Sequence, residues 1–289
     1  MKRRTALVGS RAAPGAALSL AARSVWHERR EAALAARRRP DSRRSVHRFR
    51  IATRRLLALE ELLTNATLGH PVRKQLEPAF HAAGHVRNVQ IGSARLDSLA
   101  DRSGAAGAVA RTSRKRLPAL VRRFSRRLES LDRKELRHAV RRLRHRACPA
   151  DNSPVAARAQ ARALASALSR YEAARQQLEG AAHGIAPDSA DSAVHALRLK
   201  LKRVRYMREL LAPPGAYGTR TVQSLANWQR SLGAIADQRT MLRLIDRPDA
   251  WPGAHADAFA ALRNRLLRAE RRRIAALVAP HGRRPRGLS

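Results

Sequence analysis

Two segments of this chain follow one pattern. Val46-His47-Arg48-Phe49-Arg50-Ile51-Ala52-Thr53-Arg54-Arg55-Leu56 lines up with Val194-His195-Ala196-Leu197-Arg198-Leu199-Lys200-Leu201-Lys202-Arg203-Val204. Both read Val-His, a variable residue, an apolar residue, Arg, an apolar residue, two variable positions, a base, Arg and an apolar residue. A second pair follows at a similar distance: Ala83-Gly84-His85-Val86-Arg87-Asn88-Val89 and Leu232-Gly233-Ala234-Ile235-Ala236-Asp237-Gln238. Two motifs in the same order and at nearly the same spacing mark a tandem duplication, whose halves are expected to pack about a pseudo-twofold axis.

The repeated unit reads as helix. Successive helical residues turn by about 100°, which sets Arg54, Arg43 and Arg50 at about −20°, −40° and −60° from His47. Phe49, Leu56 and Leu63 fall on the opposite face, so one side is core and the other a line of cations. The second copy groups His195, Arg198, Lys202 and Arg205 against Leu197, Val204 and Leu211, and Tyr206 falls close enough to His195 to donate a hydrogen bond. A solvated face is the competing reading, but such faces usually alternate bases with acids, which offsets repulsion between neighbouring turns. Neither stripe does. His47 and His195 read either as structural histidines or as donors to an anion, whose charge would favour the imidazolium.

Composition supports a helical, anion-binding chain. Apolar residues make up 44% of the 289 residues, enough for a buried core, while aromatics are only 3%. Ala, Leu and Arg favour helix, and strand formers are sparse. Basic residues number 60 against 22 acidic ones, a formal charge of +38, so a polyanionic partner is expected. The bases are nearly all arginine, whose planar fork grips phosphate oxygens in pairs.

Proline and glycine divide the chain into helices over about 14–39, 43–65, 72–99 and 108–131, with a kink at Pro118, and a short one to Arg146. Asp41 or Ser42 caps the second, and 101–107 reads as a loop. Cys148 to Pro154 reads as the linker between halves. Beyond it the pattern restarts, with helices over 155–179, 192–211, 219–245 and 254–278. No run reaches the length of a membrane span. Arg3-Arg4 before Thr5-Ala6-Leu7-Val8 resembles an export leader, although Gly9-Ser10-Arg11 ends the apolar stretch early. The lone Cys148 rules out an intramolecular disulfide and fits a reducing, cytoplasmic setting.

At the Val-His-x-x-Arg-x-x-x-Arg-Arg-Leu motif, its partner ending Lys202-Arg203-Val204-Arg205-Tyr206, and Leu232-Gly233-x-Ile235-x-Asp237, the chain resembles the CHAD domain family, the conserved histidine α-helical domain. The resemblance spans about 14–280, with halves of about 14–148 and 154–280 and basic tails at 1–13 and 281–289. It implies an all-α fold of two pseudo-symmetric four-helix bundles around a basic groove that binds inorganic polyphosphate, and association with polyphosphate granules. The residues it carries over to the groove are His47, Arg50, Arg54 and Arg55 from one half, and His195, Arg198, Lys202 and Arg203 from the other. Arg43 and Arg205 extend the two stripes. Asn88 departs from the family's Asp, which Asp237 keeps and which is expected to orient a basic side chain. Arg23, Arg87, Arg230 and Arg239 are further bases that could reach the groove.

Two other functions compete. Nucleic-acid binding fits the charge and the Arg-rich stretches 122–127 and 137–146, but stacking aromatics are scarce and there is no RNP, zinc-finger or basic-zipper pattern. Catalysis is not expected, and no metal or cofactor is implied. There is no Gly-x4-Gly-Lys-[Ser/Thr] loop and no Glu-x-Glu-x-Lys strand. His81 and His85 have helical ligand spacing but lack the Glu at 82 of the zinc-protease pattern.

Overall fold

The computed structural model describes residues 14–64, 70–100, 103–147, 154–183, 187–211, 220–247 and 256–278. These form ten helices and, among the described residues, no strand. The fold is all-α. Calls on the leader, on the Cys148–Pro154 linker and on both tails concern segments that lie wholly or almost wholly outside the described residues.

The first half holds α1 (Pro14–Arg38), α2 (Arg43–Leu63), α3 (Pro71–Asp97), α4 (Gly104–Lys115), α5 (Leu117–Glu129) and α6 (Arg133–Ala147). Local chemistry sets several of these boundaries. The Ser42 side chain accepts from the Ser45 N–H at the start of α2, satisfying one of the donors that a first turn leaves open. Pro71 opens α3, where its missing N–H costs nothing. The buried carboxylate of Glu60 reaches over from α2 and accepts from Val72 N at 2.7 Å and Arg73 N at 3.0 Å. An anion at this end of a helix also meets the positive end of its dipole.

Several boundaries differ from the sequence reading: beyond the longer α7 and α8, which end at His183 and begin at Pro187, two differences have a clear cause. Residues from Gly104 onward are helical rather than loop, because Ala105, Ala106 and Val109 are buried against α3, α9 and α10. At Pro118 the chain breaks rather than kinks. The proline cannot donate to the carbonyl four residues back and its ring crowds it, so α4 ends at Lys115 and α5 starts at Leu117.

The second half holds α7 (Pro154–His183), α8 (Pro187–Leu211), α9 (Arg220–Ile245) and α10 (Ala256–Val278). In each half the motif helix, α2 or α8, lies between its predecessor and its successor. The halves meet along α2 against α8 and α3 against α9, while α1 touches α8 and α7 touches α2.

Their hydrophobic cores are continuous. One cluster joins Leu56, Leu59 and Leu62 of α2 to Leu197, Leu201 and Val204 of α8. Another joins Val89 and Leu96 of α3 to Met241 and Leu244 of α9 and Phe259 of α10. A third, within the first half, packs Phe49 of α2 edge-on against Phe124 of α5, centroids 5.4 Å apart. Burying each such side chain contributes on the order of 1.5–3 kcal/mol. Helices α3 and α9 approach closely where Gly92 has no side chain. A Cβ there would stand 2.5 Å from Leu244 Cδ1 and 3.2 Å from Thr240 Cγ2. No helix among the described residues is long and apolar enough to cross a membrane.

Candidate functional site

Helices α2, α3, α8 and α9 leave an open cleft of about 300 Å³ between the halves. The apolar faces of α2 and α8 point into the shared core, so their cationic stripes turn together toward this cleft. Arg50 and Arg54 line it from α2, and His195 and Arg198 from α8. Helix α3 contributes Phe80, His81, Gly84, His85 and Asn88, and α9 contributes Arg239, Thr240 and Arg243.

Arg50 and Arg54 share one aromatic platform. Their guanidinium carbons stand 4.7 and 5.1 Å from the centre of the Phe80 ring, within cation–π range. Arg50 also donates to the Phe80 carbonyl at 3.0 Å. Both contacts hold the cations in place without neutralising them. Burial, then repulsion from Arg54, Arg198 and Arg87, pushes Arg50 down to about 9, so it is charged at neutral pH. Arg54 and Arg198 are also lowered, chiefly by burial. The Arg198 Nε is buried with no hydrogen-bond partner.

Lys202 is only 7% exposed, beneath these arginines. Burial, followed by the charges of Arg54, Arg198 and Arg50, pushes it down to about 6, against a partial offset from Asp237. His47 and His195 are exposed. Loss of water on their protein side, then Arg87, Arg54, Arg50 and Lys202 for His47, hold the first below the usual histidine value. Burial, then Arg243, Arg198 and Lys202, does the same for His195. The cleft thus concentrates positive charge, which weakens the hold of its bases on their protons.

Asp237 lies opposite this cluster. It draws on Arg198, Lys202 and Arg87 and pairs with Arg95 of α3 at 3.4 Å. It therefore holds a base from the other half, as the family resemblance implies. The corresponding residue, Asn88, lines the cleft without a charge.

The structure brings six of the ten sequence-derived residues to this region and takes three away. Arg50, Arg54, His195 and Arg198 line the cleft, Lys202 lies beneath it and His47 faces its arginines. Arg43, exposed on the first turn of α2, neighbours the cluster through Arg87.

Arg55 turns away. It bonds Glu28 at 2.8 Å, faces Glu209 at 3.5 Å, and lines a separate pocket of about 290 Å³. Arg203 pairs with Glu61, whose other oxygen accepts from Arg170 at 2.8 Å. The cause is helical geometry: the residue after Arg54 or Lys202 points about 100° off the stripe. Arg205 is captured by Glu209 at 2.6 Å and Gln229 at 3.0 Å. Tyr206 is buried in the pocket with Arg55 and Glu28, not hydrogen-bonded to His195.

Of the further bases, Arg239 lines the cleft and pairs with Glu270 of α10. Arg87 is in electrostatic reach of His47 and Arg50. Arg230 binds Asn227 on the surface, and Arg23 is exposed on α1. Sequence reasoning passed over Phe80, Arg243 and the role of His81 and His85. The histidine spacing is visible in sequence, but only the packing of α3 on α2 and α9 shows that their face lines a cleft. Among the described residues no group of three His, Cys, Asp or Glu side chains could hold a metal ion.

A family model for the CHAD domain matches residues 16–246. Two solved structures share the fold. The CHAD domain from the plant Ricinus communis is 18% identical, with a TM-score of 0.57 over 93% of this chain and 94% of that one. PptA from Streptomyces chartreusis is 20% identical, with a TM-score of 0.62 over 91% of this chain and 95% of that one. No curated protein matches in sequence.

Proposed function

Because the chain belongs to the CHAD domain family, we propose that the cleft between α2–α3 and α8–α9 binds inorganic polyphosphate without turning it over. One observation carries this reading. Arg50 and Arg54 from one half face Arg198 and Lys202 from the other, and among the described residues none of the four forms an ion pair with a carboxylate. Such an arrangement is costly when empty and is relieved by a polyanion. An unbranched chain of closely spaced charges, with no base or sugar to accommodate, suits a narrow cleft of this kind.

Affinity comes from charge-assisted hydrogen bonds and from release of counterions, so it falls steeply with salt. His47 and His195 at the rim take up protons as the ligand arrives and add donors. In a cell that stores polyphosphate in granules, the same contacts bring the protein to them.

The test is a titration of polyphosphate at two salt concentrations, against wild type and a His47→Ala/Arg54→Ala/His195→Ala/Lys202→Ala variant. The expected result is a folded variant that loses most of its polyphosphate affinity and little of its RNA binding. Equal, slight weakening toward both ligands would reduce binding to a diffuse effect of net charge. Displacement of polyphosphate by tRNA at equal phosphate concentration would favour a nucleic-acid ligand. Metal-dependent release of orthophosphate would overturn the absence of turnover.

A further inference from the structure

We propose that the polyphosphate site does not end at the cleft but continues across α3 onto an arginine face of α5, which holds the overhanging part of a long chain. This rests on the cleft being the polyphosphate site.

Helix α5 is anchored by Phe124 and Leu128, which are fully buried against α1, α2 and α3. Its outward face presents Arg123, Arg126 and Arg127, all exposed. With Ser130 they line a surface depression of about 520 Å³. Arg116, just before the helix, extends the row. From Arg116 to Arg127 it runs about 16 Å at 1.5 Å per residue. Among the described residues none of these arginines forms an ion pair, and Glu129 is the only acid on α5.

An exposed cationic face alone is an ordinary solvated surface. What sets this one apart is its continuity with the cleft. His85 lines the cleft and stands in electrostatic reach of Arg50 on one side and of Arg123 and Arg116 on the other. Helix α3, which carries His85, packs directly against α5. The order Arg50, His85, Arg123, Arg127 is therefore a track of basic groups leading out of the cleft. The acids near this route are Glu129, which shares a shallow depression with Arg126, and Glu77, paired with His81 at 3.4 Å. The pocket formed by α1, α2 and α8 has Glu28 and Glu209 in its lining, which makes it a poor exit for a polyanion. Both observations give the chain one direction of overhang.

The experiment compares tripolyphosphate with long-chain polyphosphate on the full chain, at two salt concentrations. The variants are Arg123→Ala/Arg126→Ala/Arg127→Ala on α5, a charge-matched Arg137→Ala/Arg141→Ala/Arg144→Ala on the exposed face of α6, and the cleft variant Arg54→Ala/Arg198→Ala. The α5 variant should bind tripolyphosphate as wild type does and lose about tenfold in long-chain affinity, with a salt slope shallower by roughly one per lost phosphate contact. The α6 variant should lose far less.

Unchanged long-chain affinity in the α5 variant overturns the track. So does an equal loss in the α6 variant, which would mean diffuse charge, or a loss confined to RNA, which would assign the α5 face to nucleic acid. If instead the cleft variant keeps full affinity for both ligands, the cleft reading fails. Any loss in the α5 variant would then mark a separate surface rather than a continuation.

Discussion

The Cβ that Gly84 lacks would stand 2.7 Å from a terminal guanidinium nitrogen of Arg50. The glycine in α3 is thus what lets this arginine lie against the helix and reach the Phe80 carbonyl. Gly84→Ala separates fold from site. Alanine in a helix interior gains about 1 kcal/mol over glycine, and the displaced hydrogen bond costs a similar amount. Thermal stability should therefore stay within a few degrees of wild type. Polyphosphate affinity should fall about fivefold, the equivalent of roughly 1 kcal/mol at the one displaced cation. Gly233→Ala, where an added Cβ meets nothing within 4 Å, is the control. It should raise the melting temperature slightly and leave affinity alone.

Lys202 makes binding depend on pH. Its ammonium is held at about 6 in the free protein, against an ordinary 10.5. A polyanion restores the charge and raises that value, so binding takes up a proton above pH 6. Affinity should be greatest below about pH 6 and decline as the pH rises toward the bound-state value. The free protein shows the opposite trend in stability. Its folded-state pKa lies below the unfolded one, so unfolding takes up a proton between about 6 and 10.5 and stability rises with pH across that window. Isothermal titration in buffers of different ionisation enthalpy counts the proton directly. Lys202→Met should remove part of the uptake, leaving the share of His47 and His195. An unchanged count would exclude Lys202 from the site.

Asp237 acts in the other direction. It is the carboxylate that offsets repulsion on Arg198, Lys202 and Arg87. Asp237→Asn should lower the melting temperature of the free protein and release Arg95. Because the same change removes a negative charge facing the ligand, the rise in melting temperature on adding polyphosphate should be larger than in wild type. A smaller rise would mean that holding Arg95 matters more than the charge balance.

Much of this architecture was legible in the chain. The helical period of Phe49, Leu56, Leu197 and Val204 placed a core face and, opposite it, the stripe carrying His47, Arg50, Arg54, His195, Arg198 and Lys202. Asp41 and Ser42 bracketed its cap, which Ser42 supplies, and Pro118 marked a kink where the helix in fact breaks. What periodicity could not supply was the identity of non-local partners. Glu28, Glu61 and Glu209 look like scattered surface acids until packing brings them to Arg55, Arg203 and Arg205. Phe80 lies some thirty positions from Arg50 and becomes its platform only when α2 packs on α3. The same limit hid the first turn of α4: Gly104 to Gly107 is a weak helix former and is helical because Ala105 and Ala106 are buried.

The pairing of acids with off-stripe arginines divides the motif into two jobs that mutation can tell apart. Arg203 satisfies Glu61, which is only 8% exposed and has Arg170 as its other partner. Arg203→Met leaves that carboxylate half-satisfied and should cost on the order of 1–3 kcal/mol, read as a lower melting temperature, while the folded fraction binds polyphosphate normally. Arg198→Met keeps the apolar stem of its side chain and removes a cation that burial disfavours and that, among the described residues, has Asp237 in electrostatic reach but forms no ion pair. It should leave the melting temperature unchanged or raise it, and weaken binding severalfold. Measuring both variants by thermal denaturation and by polyphosphate titration settles the division. If Arg203→Met weakens binding as much as Arg198→Met at equal folded concentration, the ion pair with Glu61 is broken by the ligand and Arg203 belongs to the cleft after all.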